Sequence, residues 1–169
     1  MKIAKQSSEA MQQVADMVGK IRIGMLTTQD ESGMLVSRPM EAVQMDADGS
    51  IWFFTKAHSA KAHQLDRVNL AFTDKGDADF LSLAGSAELL SDRSKIADLW
   101  GTEAEPWFPG GKDDPEVALL RVSVDTAELW DENNSSMVRL LAMAAAAVTG
   151  KPNAVIRADK ELIHNPARH

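Results

Sequence analysis

The chain contains no cysteine. That excludes disulfides, thiolate metal sites and thiol nucleophiles together, and it fits a reducing compartment. No apolar run reaches the ~18 residues that a membrane span needs. The longest bland stretch, Leu140 to Val148, is too short. The start, MKIAKQSSEAMQQV, has neither an apolar core nor a cleavage site, so no secretory signal is expected and the expected location is cytoplasmic. Positive charge is scarce: 18 Lys and Arg stand against 25 Asp and Glu, for a formal net charge of −7. Binding to nucleic-acid backbones needs clustered cations, and none is expected here.

Several catalytic signatures are also missing. No G-x-G-x-x-G follows a strand, and no G-x-S-x-G elbow is present. Gly110-Gly111-Lys112 is not a nucleotide phosphate loop, because Pro106 holds the first glycine position and Asp113 stands where Ser or Thr is required. His58 and His63 miss the i, i+4 spacing of a helical metal pair, and His164 and His169 lie in the tail, so no metal site is expected. Asp113-Asp114 reads as turn chemistry rather than an acid/base pair.

What is present is an ordinary globular composition: 169 residues, 44% hydrophobic and 25% charged. A single domain spanning 1–169 with its own core is expected. Met11, Val14, Ala15 and Val18 repeat at helical spacing, predicting a helix from Ser8 to Val18 with Gly19 just past its end. Extended runs follow at Ile21 to Thr28, Met34 to Met45 and Ser50 to Thr55, joined by DESG and DADG turns, which predicts an antiparallel meander. A short helix is expected from Ser59 to Arg67. Strands follow at Val68 to Thr73 and Phe80 to Leu90, with Gly85 marking a bulge. Ser91 and Asp92 are N-cap residues for a helix to Trp100, with Ile96, Leu99 and Trp100 on one face. A Pro/Gly-rich loop runs from Gly101 to Pro115, and a long strand from Val117 to Trp130. Met137, Leu141, Ala144, Ala145 and Val148 predict a helix over residues 134–149, before a polar tail over 151–169. About six strands with turn-sized links give a mainly β, α+β architecture: an antiparallel sheet curled into a barrel over about residues 20–131.

Three places carry candidate chemistry. Alternation puts Val36, Arg38, Met40 and Ala42 on one strand face, so Arg38 stands among apolar neighbours and needs an anion. Pro39 beside it marks an edge where backbone is open to a ligand. Thr55, Ser59 and Lys61 surround a helix start, and with Arg38 they make a phosphate seat; the alternative is that Arg38 pairs with an internal carboxylate and Lys61 is solvated. Trp52 and Phe54 share one face of their strand and Phe53 takes the other, as core residues or as walls for a flat ring. Trp107 and Phe108 sit in the Pro/Gly loop, where large aromatics plug the core, seal an interface or cover a ligand. Trp107, Phe108 and Trp130 together predict an exposed aromatic patch on a monomer, hence a homodimer.

The order IGMLTT, SRPM, IWFFT, HSAK, VNLAFTD, LAGSAELLSDRSK and WFPGGKDDPEVALLRVSVDTAELWD resembles the general stress protein branch of the pyridoxamine phosphate oxidase-like, FMN-binding split barrels, from about Ile21 to Asp131. The resemblance implies a six-stranded antiparallel split β-barrel with peripheral helices, and a homodimer with FMN in clefts at the interface. It implies that Arg38, with the backbone of Pro39 and Met40, meets the flavin phosphate and ribityl chain. Phe54 and Thr55 would line the flavin, Ser59 and Lys61 bind its phosphate, and Trp130 reach it from the other subunit. Trp107 and Phe108 would lie near the interface and the flavin. Ala60 stands where the oxidase has an Arg, Phe80 where it has a flavin-contacting Gln, and the oxidase's substrate-binding segment does not follow Trp130. Oxidation of pyridoxamine phosphate is therefore not expected. The expectation is a flavin-dependent oxidoreductase on an unknown small molecule, with FMN or FAD as cofactor. The alternative is a non-enzymatic protein that stores flavin or signals in stress.

Overall fold

A computed structural model of the chain describes residues 1–58, 63–77, 79–131, 134–141 and 156–157. Strand β1 (Lys2–Ile3) is followed by helix α1 (Glu9–Ile21) and the strands β2 (Ile23–Asp30), β3 (Leu35–Met45), β4 (Ile51–Lys56), β5 (His63–Asp74) and β6 (Asp79–Leu90). Helix α2 (Arg93–Leu99) leads to β7 (Val117–Asp131), β8 (Asn134–Leu141) and β9 (Ile156–Arg157).

Six of the strands close on themselves. β3 pairs β2, β2 pairs β5, β5 pairs β6, β6 pairs β7, β7 pairs β4, and β4 returns to β3, every pairing antiparallel. This is the expected split barrel, and closure removes the exposed edges of an open sheet. Alternate residues fill it: Leu26, Ala42, Ile51, Phe53, Leu70, Phe72, Leu81, Leu83 and Leu120 are buried in one cluster. Helix α1 seals the barrel with Met11, Val14, Ala15, Met17 and Val18 in the same cluster. Its N-terminus is capped by the Ser8 side chain, which accepts from the Met11 N–H. A second, outer cluster holds Trp52, Ile96, Leu99, Val117 and Leu119, joining α2 to the outside of β4 and β7. The aromatic run therefore splits as alternation requires: Phe53 points inward, Trp52 and Phe54 outward.

Three local expectations are corrected. Helix α1 runs through Gly19 and ends at Arg22, whose φ of 63° makes it the left-handed residue. Its N–H reaches the Val18 carbonyl and its own carbonyl accepts the Ala42 N–H, both at 2.8 Å, so pairing with β3 holds a conformation that is unfavourable for a non-glycine residue. Residues 63–67 are not helical: β5 begins at His63 and pairs the far end of β2, Gln29 with Gln64 and Asp30 with His63. Residues 59–62 of that expected helix lie outside the described residues. Finally, Asn134–Leu141 is strand β8, paired with β7 from Thr126 to Asp131. β4 covers one edge of β7 only from Val117 to Val122, so the rest of that edge takes a strand despite the helical spacing of its residues. Residues 142–149 of the expected helix lie outside the described residues. The expected bulge at Gly85 is present: the β6–β7 register shifts there, and a Cβ on Gly85 would stand 1.9 Å from the Ser123 carbonyl oxygen.

Candidate functional site

The site begins with a divergence of two strands. β3 and β4 pair only from Met45↔Ile51 to Ala42↔Phe53. Beyond that point β3 continues along β2 to Leu35, and β4 continues along β7 to Lys56. A wedge opens between residues 38–41 of one strand and 54–56 of the other. The Ala42 N–H faces β2. By strand alternation the polar groups of Arg38 and Met40 face β2 as well, and those of Pro39 and Glu41 face the wedge. Pro39 thus lacks a donor on the side where no neighbouring strand needs one.

The wedge leads into a cavity of about 560 Å³, a volume within the usual range of small-molecule and cofactor sites, ~300–1,000 Å³. Arg38, Pro39, Met40, Phe54 and Thr55 line it, as do Trp107 and Phe108. Seven of the residues singled out in the sequence are brought together here. Ser59 and Lys61 lie outside the described residues. Trp130 does not line this cavity. It stands opposite Phe80 on the outer surface of β6 and β7. The expected aromatic patch of Trp107, Phe108 and Trp130 is also corrected. Trp107 is 71% exposed, but Phe108 turns inward against Phe54 and Trp100.

Arg38 is half-buried, and burial lowers the affinity of its guanidinium for the proton. The group still carries its charge at neutral pH, since a guanidinium stays protonated throughout the physiological range. It stands four positions along β3 from Ala42, where the wedge closes, so its Cα lies about 13 Å from the apex at ~3.3 Å per strand residue. The apex is aromatic. Phe54 meets Trp100 edge to face with ring centroids 5.3 Å apart, and Phe108 stands 6.0 Å from Phe54 and 6.2 Å from Trp100. Such pairs contribute about 0.5–1.5 kcal/mol each beyond area burial.

The loop that carries Trp107 and Phe108 is a chain of turns. Trp107 and Phe108 both donate to the Ala104 carbonyl, Gly111 to Phe108, Asp114 to Gly111 and Val117 to Asp114. Arg93 at the start of α2 donates to the carbonyls of Asp114, Pro115 and Val117 at 3.0–3.2 Å. The loop is also tied to the barrel. Arg22 pairs with Glu41 at 2.7 Å and with Glu103 at 3.4 Å. Glu103 is held below the ordinary carboxylate range by its own backbone N–H and then by Arg22, so it is ionised at neutral pH. Arg22, Glu41, Trp100 and Glu103 line the cavity without having been singled out as site residues. Glu41 was within reach, since it alternates with Pro39; Arg22 and Glu103 enter only through tertiary pairing.

A closed antiparallel six-stranded barrel, open at the β3–β4 split and flanked by two helices among the described residues, defines a split-barrel protein. Residues 9–153 match the pyridoxamine 5'-phosphate oxidase like family, and the chain belongs to it. A curated relative, protein bli-3 of Neurospora crassa, is 27% identical over 147 residues, covering 79% of this chain and 70% of that one. The general stress FMN/FAD binding protein of Xanthomonas citri is 36% identical, with a TM-score of 0.61 over 75% of this chain and 92% of that structure. A protein related to general stress protein 26 from Clostridium acetobutylicum shares the fold with a TM-score of 0.66, covering 78% of this chain and 93% of that one, at 21% identity.

Proposed function

We propose that this chain binds a flavin, FMN or FAD, in the β3–β4 wedge, and acts as a flavin-dependent oxidoreductase on a small molecule. The observation that carries the reading is the convergence of Arg38, Pro39, Met40, Phe54 and Thr55 on one cavity, opened by strands that part after Ala42 and Phe53. The similarity to a Xanthomonas citri protein named for FMN/FAD binding supports it. The residues present fit the cofactor. Arg38 would supply a partly desolvated cation for the phosphate, where a charged hydrogen bond is worth about 1.5–3 kcal/mol. Ser59 and Lys61 would complete the phosphate seat. The wedge-facing backbone of Pro39 and Glu41 would meet the ribityl chain and ring edge, and Phe54 and Thr55 would set the ring's orientation. Trp107 and Phe108 would exclude water from one side. The bound flavin would supply the electron-pair chemistry, leaving the protein to bind and orient.

The same reading extends to a homodimer. Pro39, Met25, Ala71, Ser82 and Glu128 stand successively opposite one another across β3, β2, β5, β6 and β7. Two residues along lie Ile23 beside Glu41, and Phe80 between Thr73 and Trp130. Ile23, Met25 and Phe80 are 56%, 43% and 45% exposed on this outer face. Ile23 and Pro39 also line the cavity, so the apolar face is continuous with its mouth. A second copy packed on this face would cover these side chains and bring its Trp130 toward the flavin.

The test is an absorption spectrum of the purified protein during titration with FMN and FAD, then anaerobic addition of NADH and NADPH. Saturable flavin uptake followed by bleaching is expected. Failure to take up either flavin would overturn the reading; uptake without reduction by any donor would favour a flavin-storage or signalling role.

A further inference from the structure

One wall of the cavity is the segment before α1. Gln44 of β3 pairs with Trp52 of β4 on one edge and with Lys2 of β1 on the other. Helix α2 packs on the outside of β4 and β7. The Lys2 side chain nevertheless reaches that helix: its Nζ donates to the Asp98 carbonyl at 3.0 Å and pairs with the Asp98 carboxylate at 3.4 Å. A bridge from β1 to α2 therefore passes over β3, and Val43 of that strand lines the same cavity as Met1, Lys2 and Asp98. Helix α2 has no basic residue in its own last turn, so Lys2 supplies the cation that its C-terminal carbonyls favour.

The segment is firmly rooted and loosely tipped. At its root Gln6 is buried, with Nε2 donating to the carbonyls of Ala4 at 2.7 Å and Asp46 at 3.0 Å, and with its backbone N–H on the Gln12 side chain at 3.2 Å. Toward the tip, β1 is two residues long and both are exposed. The Ala4 N–H donates to the Met45 carbonyl at 2.9 Å. Ile3 rests on Gly19 of α1, where a Cβ would stand 2.4 Å from its Cδ1, and Met1 packs, partly buried, against the barrel core. The Lys2–Asp98 pair leaves both side chains 60% exposed, and such pairs are weak and screened by salt. Residues 1–4 can thus lift in a local opening that pivots on Gln6 and leaves the barrel closed.

We infer that residues 1–4 form a strap across the closed end of the wedge, latched by Lys2 on Asp98, and that release of this latch opens a route by which ligand enters and leaves the cavity. The identity of that ligand rests on the flavin reading; the latch itself rests on the contacts of Lys2, Ala4 and Gln6. A latch formed equally in the empty and the loaded protein gates traffic without setting affinity. Weakening it raises the open fraction, so association and dissociation quicken together.

The probe is FMN, mixed with the full-length protein in a stopped-flow instrument, and exchange of the Ala4 amide is followed by NMR in the empty protein. Lys2→Met keeps an unbranched side chain and removes its donors. It should raise both FMN rate constants about two- to fivefold, change the affinity less than about twofold, and speed Ala4 exchange by a similar factor. In about 1 M NaCl, where the screening length is ~3 Å, the difference between variant and parent should shrink. Lys5→Met makes the same charge change on the same segment outside the cavity lining and should alter none of these. Unchanged FMN rates in Lys2→Met, unchanged Ala4 exchange, or an equal effect of Lys5→Met would each overturn the strap. So would faster dissociation matched by an equal loss of affinity, which would make Lys2 a ligand contact. A protein that takes up no FMN removes the flavin reading instead; Ala4 exchange then decides the latch, faster exchange in Lys2→Met supporting it and unchanged exchange overturning it.

Discussion

Phe80 stands directly opposite Trp130 in the β6–β7 ladder, and both side chains face outward rather than into the barrel. They share that surface with Ile23 and Met25 on β2. An aspartate at this position would disturb no core contact but would place a charge in the middle of the proposed subunit face. Phe80→Asp is expected to weaken self-association by more than about tenfold, with an unchanged far-ultraviolet spectrum. Sedimentation velocity at micromolar concentration checks this, and a wild-type monomer there would remove the dimer.

Arg38 offers the sharpest test of the cationic end. Arg38→Ala should lower FMN affinity roughly tenfold to a hundredfold, from the loss of about 1.5–3 kcal/mol of charged hydrogen bonding. Arg38→Lys should recover part of it, keeping the charge without the planar fork. Flavin fluorescence quenching reads both, and unchanged affinity in the alanine variant would refute the role.

Gly85 is fixed by the partner strand. Any side chain there would begin 1.9 Å from the Ser123 carbonyl oxygen, and that oxygen belongs to backbone, which does not yield cheaply. Gly85→Ala should cost about 1–3 kcal/mol or more through forced movement of β7. Urea unfolding checks this; a variant as stable as the parent would mean that the bulge relaxes freely.

Acid should destabilise the fold through named carboxylates. Burial alone would raise Asp48, but the Ser50 backbone and hydroxyl and the Arg121 guanidinium, 2.8 Å away, outweigh it and hold the group below its ordinary range. Asp74 is lowered first by Lys20 and then by the Gly76 N–H. A depressed carboxyl contributes in full above its unfolded value, about 3.9, and the contribution is lost as pH falls through the lower folded value. Stability should be flat above about pH 5 and fall below about pH 4. Asp48→Asn should make that decline shallower, as read by melting temperature against pH.

The sequence carried the barrel because alternation and turn residues agree along most of it. Phe53 against Trp52 and Phe54, the DADG turn and the Asp92 cap needed no tertiary information. The misplaced elements are those where a distant partner decides. Gly19 has the chemistry of a helix end, yet Arg22 takes the positive φ because β3 holds its carbonyl. His63 to Arg67 extend because β2 continues past Thr28. Asn134 to Leu141 pair with β7 because β4 leaves its edge early. The site divides in the same way. Arg38 and Pro39 were visible as an unlikely pair on a strand. The Arg22–Glu103 tie was not, since those residues are 81 positions apart.

The parting of β3 from β4 has a consequence for solubility. A splayed pair of strands leaves backbone polar groups that any passing extended peptide can zip onto, the usual route to clumping in β proteins. Pro39 blunts that invitation by withholding one donor from the gap. Restoring an amide there should therefore shorten the shelf life of the empty protein more than it alters the folded barrel.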